Sequence, residues 1–258
     1  MIRFASLGSG SRGNAMVVQS ARTTVLIDCG FGQRELVRRL GRLGLGIDVI
    51  DAILVTHEHG DHISGAAACA RRCDIPLYMT HGTRSAGLRD DDSTGSLDIH
   101  LIDSHAMFGI GDFEVQPFPV PHDAREPVQF ILGDGQHRFG MLTDIGVATP
   151  HVIDLLSTCN ALVLECNHDA RMLADGNYPF ALKKRIAGRF GHLENDEAAG
   201  ILARLDQNRL QHVLAAHLSE HNNTPALAGA ALATVLGCDP VWIGIASQDQ
   251  GSEWRTIA

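Results

Sequence analysis

The densest chemistry in the 258 residues lies in Val55-Thr56-His57-Glu58-His59-Gly60-Asp61-His62. An apolar run from Ile50 to Val55 precedes it and reads as a strand; the stretch after it is rich in small residues and reads as a helix. Four side chains able to hold a metal therefore leave one strand end together. In extended backbone, residues i and i+2 point the same way, so His57 and His59 grip one ion from one side. Beyond the turn at Gly60, Asp61 and His62 face a second. Imidazole and carboxylate without thiolate suit Zn, Mn or Fe. The bland alternative, a polar surface loop, does not account for four ligands on one strand-to-helix turn.

The elements that must carry this segment follow from periodicity. Strands are expected at Val17-Val18, Thr23 to Ile27, Ile50 to Val55, Phe113 to Val115, Gly140 to Thr143 and Ala161 to Leu164. Helices are expected over 33–43, 62–73, 150–156, 180–188, 194–205 and 225–236, with Thr224-Pro225 a start signal for the last. Neither a repeat nor a linker is visible, so residues 1–258 read as a single domain. Strands with interspersed helices, then renewed alternation, fit an α/β sandwich of two sheets covered by helices, αββα, better than a Rossmann sheet or an all-β barrel.

Composition narrows the classes. With 45% hydrophobic and 20% charged residues the chain can bury a core and is not a disordered one. A net charge of −9 argues against a broad basic face for long nucleic acid, though not against a nuclease that grips an end. The first residues, Met1 to Gly8, lack the pattern of a secretory signal, and no stretch is long enough to span a membrane. The cysteines, Cys29, Cys69, Cys73, Cys159, Cys166 and Cys238, form no Cys-x-x-Cys and read as reduced, which places the protein in the cytoplasm.

The His-x-His-x-Asp-His segment resembles the signature of metallo-β-lactamase-fold hydrolases. That resemblance implies a four-layer αββα sandwich, two divalent ions and three later ligands, matched in order by His122, Asp144 as the bridging carboxylate, and His217. It also implies that Asp28, at the end of Leu26-Ile27-Asp28, orients a ligand or loop; a turn aspartate before Gly30 is the alternative. Three further stretches resemble the YycJ/WalJ group of bacterial metal-dependent exonucleases: Leu7 to Ala15, Gly191-His192-Leu193-Glu194-Asn195-Asp196-Glu197 and His217 to Pro225. Glu194 stands where that group is expected to carry Ser.

Resemblance to that group implies hydrolysis of a phosphodiester in a single-stranded DNA end, 5′ to 3′, by a hydroxide bridging the ions, with no membrane partner. Asp61 would orient the nucleophile and His192 protonate the leaving oxygen. Gly8, Gly10 and Gly13 would let the first loop approach a phosphate, with Ser9, Ser11 and Asn14 donating to it; a tight β-turn is the alternative. Ser219, Asn222 and Asn223 hold phosphate or cap the helix at Pro225, and His168 is a pocket candidate. His81, His100, His105, His137, His151, His212 and His221 read as solvated or structural. A thioester, lactone or cyclic phosphodiester hydrolase of the same fold would share the seven ligands.

Overall fold

The computed structural model describes residues 1–88 and 97–258. Among them, two seven-stranded mixed sheets face each other. The first is built from β1 (Ile2–Gly8), β2 (Ala15–Gln19), β3 (Thr24–Ile27), β4 (Ala52–Leu54), β5 (Leu77–Thr80) and β6 (Ile99–Ile102). The second takes β7 (Phe108–Ile110), β8 (Phe113–Pro119), β9 (Val128–Gly133), β10 (Arg138–Leu142), β11 (Ala161–Glu165), β12 (His212–Ala216) and β13 (Gly244–Ile245). The chain then returns to the first sheet, where β14 (Arg255–Ile257) pairs antiparallel with β1.

No repeat is visible in the sequence, yet the topology repeats. The order β14-β1-β2-β3-β4-β5-β6 matches β7-β8-β9-β10-β11-β12-β13, and in both sheets three antiparallel pairings are followed by three parallel ones. Prolines at positions 117 and 119 are tolerated in β8 because β7 pairs only with residues 113–115, leaving one side of the later residues free of a ladder.

Strand alternation explains the layers. One face of each sheet buries Ile2, Phe4, Val25, Leu54, Phe113, Phe130, Phe139 and Val163 between the sheets; burying each of these phenylalanines contributes about 1.5–3 kcal/mol. The other faces are covered by helices. Leu36 and Leu40 of α1 (Gln33–Arg42) and Ala66, Cys69 and Ala70 of the helix Ala66–Cys73 pack on the first sheet. Val152 and Leu156 of Pro150–Leu156, Ile201 and Leu202 of Asn195–Arg204, and Leu232 of Pro225–Leu236 pack on the second.

Counting in chain order, α2 (Gly60–Ile63) and α3 (Ala66–Cys73) replace the one helix expected over 62–73. The break falls at Gly65, whose N–H donates to Cys29 O at 2.8 Å and where a Cβ would stand 1.9 Å from Phe31 O. Two short helices, α4 (His81–Gly87) and α6 (Ala170–Asp175), are additional, flanking α5 (Pro150–Leu156) in sequence. The remainder are α7 (Phe180–Ile186), α8 (Asn195–Arg204) and α9 (Pro225–Leu236), close to their expected spans.

Candidate metal centre

The cluster sits at one edge of the sandwich, where strand ends of both sheets meet. His57, His59, Asp61 and His62 follow β4; His122 follows β8, Asp144 β10 and His217 β12. The ligand atoms of His57, His59 and His122 lie within 4.8 Å of one another, as do those of Asp61, His62 and His217. Asp144 joins the two trios, its oxygens 3.2 Å from His62 Nε2, 3.4 Å from His217 Nε2 and 4.0 Å from His122 Nε2. All seven side chains singled out in the sequence are therefore brought together.

A cation fits this donor set. The carboxylate–imidazole separations exceed the roughly 2.7–2.9 Å of a charge-assisted hydrogen bond, and His57 Nε2 and His217 Nε2 are buried with no hydrogen-bond partner. Such orphaned, inward-facing atoms are costly unless something is bound between them. Asp144 and Asp61 stay ionised: burial opposes it, but neighbouring His217 and His62 hold both carboxyls well below the usual range. Burial pushes His57 the other way, toward the neutral form that ligates.

Three positions in the centre strain the backbone. Asp28, Asp144 and His217 have φ of 61°, 54° and 54°, each just past a strand end. Non-glycine residues persist there only where surrounding structure overdetermines them. Asp28 is fully buried and accepts from His62 Nδ1 at 2.8 Å, Thr56 N at 2.8 Å and Thr56 Oγ1. Thr56 Oγ1 in turn lies 3.0 Å from His57 Nδ1, so one carboxylate orients a histidine in each trio. His122 is set by Gly191 O, 3.2 Å from its Nδ1.

His192 lies beside the cluster, its Nδ1 2.7 Å from Glu165 Oε1 and 3.6 Å from Asp144. Burial lowers its pKa, but the Glu165 carboxylate more than reverses this and brings it to about 9. Glu165, fully buried at the end of β11, also accepts from Ile145 N at 3.1 Å. Its sequence signal was an acidic residue closing an apolar strand, as at Asp28 and Asp144. A cleft of about 220 Å³ lies beside the cluster, lined by Ser11, Ser219, Tyr178, Arg185 and His192 among others. Tyr178, and Arg185 with its 2.6 Å ion pair to Asp123, carried no spacing signal in the sequence.

Other expected substrate contacts are placed differently. Ser9 accepts from His217 N at 2.8 Å, and Asn14 Nδ2 donates to Asp61 Oδ2 at 3.1 Å, so both position cluster residues. The first-loop glycines make room for protein: a Cβ on Gly8 would sit 2.2 Å from Arg39, and one on Gly13 2.5 Å from Phe31. Asn223 donates to Cys166 O and Asn195 Oδ1, and Asn222 is buried with its O accepting from Asp169 N. His168 is buried, 3.3 Å from Asn167 Oδ1, and lines a neighbouring cavity. Glu194 stands at the N-cap of α8, its N–H directed to Glu197 Oε2 at 3.4 Å, which gives this residue a local structural role.

Fold and donor set define a metal-dependent hydrolase. The family described as a beta-lactamase superfamily domain matches residues 23–214, and the chain belongs to that superfamily, in its YycJ/WalJ group. It is 34% identical to exodeoxyribonuclease YycJ of Bacillus anthracis over 91% of this chain and 89% of that protein. Identity to exodeoxyribonuclease WalJ of Streptococcus pneumoniae is 29%, covering 94% and 91%. Among solved structures, the metallo-beta-lactamase fold protein YhfI of Bacillus subtilis superposes with a TM-score of 0.76 at 16% identity, covering 98% of each chain.

Proposed function

We propose that the protein is a DNA exonuclease that removes nucleotides from a single-stranded 5′ end in the cytoplasm, using two divalent ions, Zn, Mn or Fe. The observation that carries this reading is the cleft itself: Ser11, Ser219, Arg185 and His192 offer hydrogen-bond donors to a phosphate beside the seven-residue cluster. The names of the two relatives point the same way, and six unpaired cysteines suit a reducing compartment. His57, His59 and His122 would hold one ion and Asp61, His62 and His217 the other, with Asp144 shared. Bound there, the ions supply an acidified water and polarise the phosphoryl oxygens.

The chain's own residues do the rest. Asp61, fixed by Asn14, orients the attacking water. As its oxygen bonds to phosphorus and the P–O bond to the leaving sugar breaks, His192 gives its proton to the departing oxygen. Glu165 holds His192 Nδ1, which keeps the ring charged and aimed. Ser11 and Ser219 steady the phosphate. The test is hydrolysis of bis-p-nitrophenyl phosphate and 5′-phosphorylated single-stranded DNA with Mn or Zn, beside Asp61→Ala and a lactone and thioester panel. Stepwise 5′ loss absent in the variant is expected; carbonyl-ester turnover alone would overturn the substrate assignment.

A further inference from the structure

The chain contains only two lysines, Lys183 and Lys184, and they are adjacent. With Arg185 and Arg189 they place four basic and no acidic side chains within residues 183–189 of a protein whose net charge is −9. These residues belong to α7 and its C-terminal flank, next to the cleft. No residue of α7 is buried, and Phe180 at its start is 81% exposed. The helix forms a wall with two distinct faces. Leu182, Arg185 and Ile186 line the cleft beside the metal centre; Phe180, Lys183, Lys184 and Ala187 line a cavity of about 780 Å³ on the other side. These sets follow helical spacing of three and four, and Tyr178 borders both spaces.

The cations on the two faces are not equally engaged. Arg185 is paired with Asp123, and Lys183 Nζ donates to Ala174 O at 2.6 Å. Lys184 makes no hydrogen bond or ion pair among the described residues. An exposed phenylalanine beside an uncommitted ammonium, continuous through Tyr178 with the cleft, is the combination that binds single strands without reading sequence: rings stack bases and cations track phosphates.

We propose that α7 is a strand platform, on which the single strand leaving the metal centre passes Tyr178, stacks a base on Phe180 and sets a phosphate against Lys184. This deepens, and rests on, the exonuclease reading. It gives the enzyme a preference for substrates several nucleotides long over dinucleotides, through contacts that play no part in bond cleavage.

The two-lysine composition makes the test clean. Reductive methylation with ¹³C-formaldehyde labels Lys183, Lys184 and the N-terminal amine, and titration of the zinc-loaded enzyme with a hydrolysis-resistant phosphorothioate octathymidylate is followed by NMR. The Lys184 signal is expected to move with the octamer and much less with the dimer. In parallel, the double variant Phe180→Ala/Lys184→Ala is compared with wild type on 5′-phosphorylated octamer and dimer. The octamer-to-dimer ratio of kcat/KM is expected to fall about tenfold, through KM. Lysine signals that do not respond to the octamer, or an unchanged ratio in the variant, overturn the platform. Were the wild type to bind the phosphorothioate octamer at Lys184 yet leave the unmodified 5′-phosphorylated octamer uncut, the platform would stand and the nuclease reading would fail.

Discussion

Strands β3 and β10 occupy the same place in their sheets, and each runs out into an aspartate in the left-handed region, Asp28 and Asp144. Only Asp144 enters the cluster; Asp28 lies behind it and acts through His62 and Thr56. The same inequality holds for the next strand. Past β4 the chain delivers four cluster residues at once, whereas the end of β11 supplies Glu165 and the turn after it Asn167, which brace His192 and His217. One topology, used twice, thus gives one half that concentrates donors in a short segment and another that scatters them over three strand ends. The repeated backbone fixes where a polar residue can reach the edge of the sandwich, while the side chain decides whether it binds or braces.

Substituting the two aspartates breaks this comparison most sharply. Asp144→Ala is expected to lower phosphodiester hydrolysis by at least about 10²–10³-fold and to reduce bound metal, measured by turnover and elemental analysis on protein with unchanged circular dichroism. A fully active variant would show that the two halves are not joined through this carboxylate. Asp28→Asn should leave the donors in place but loosen His62, costing about 10–100-fold in metal affinity, read by competition with a chelator. Equal losses for both aspartates would erase the distinction between binding and bracing.

Glu165→Gln sharpens the account of the second half. In the proposed mechanism His192 must carry a proton to donate it, so activity is expected to fall as pH rises through its pKa. Removing the carboxylate that raises that pKa moves the alkaline limb of kcat/KM to lower pH. An unmoved limb would remove His192 as the acid.

Smaller effects come from the loops at matching places in the two sheets. The end of β1, where its loop begins, is held by buried Arg39, which donates to Leu7 O at 2.7 Å and Gln248 O at 2.8 Å. Arg39→Ala is expected to cost about 1–3 kcal/mol in urea unfolding, since it removes the Arg39 bond to Gln248 O while Leu7 O keeps Arg42 as a donor. In the loop after β8, Arg125 contributes through its backbone N–H to Glu58 Oε1, and its side chain is exposed. Arg125→Ala should therefore change stability by less than about 0.5 kcal/mol.

The same contrast governs what was legible in the sequence. His57, His59, Asp61 and His62 announce themselves because four donors share one strand-to-helix turn. His122, Asp144 and His217 are each a single polar residue at a strand end, visible only through the order that a family resemblance imposes. The layered fold followed from periodicity, but α4, His-Gly-Thr-Arg-Ser-Ala-Gly, lacks an apolar stripe and escaped it. Ser9 and Asn14 were recognised as belonging near the site while their bonding to His217 and Asp61 was not, because that depends on contacts across more than 40 residues. Arg39 gave no sign at all: only the tertiary structure shows a helix arginine reaching one carbonyl at the end of β1 and another at Gln248.

The pairing of β14 with β1 also orders events during synthesis. The ribosome makes the His57–His62 segment early, but His217 must emerge before the second trio can close. The loop carrying Asn14 waits longer still, for Gln248, whose Nε2 donates to Gly13 O, and for the strand at 255–257 that completes the sheet. Contacts this distant in sequence form slowly and late. The His57–His62 segment therefore emerges before His122, Asp144 and His217, the partners that complete the centre.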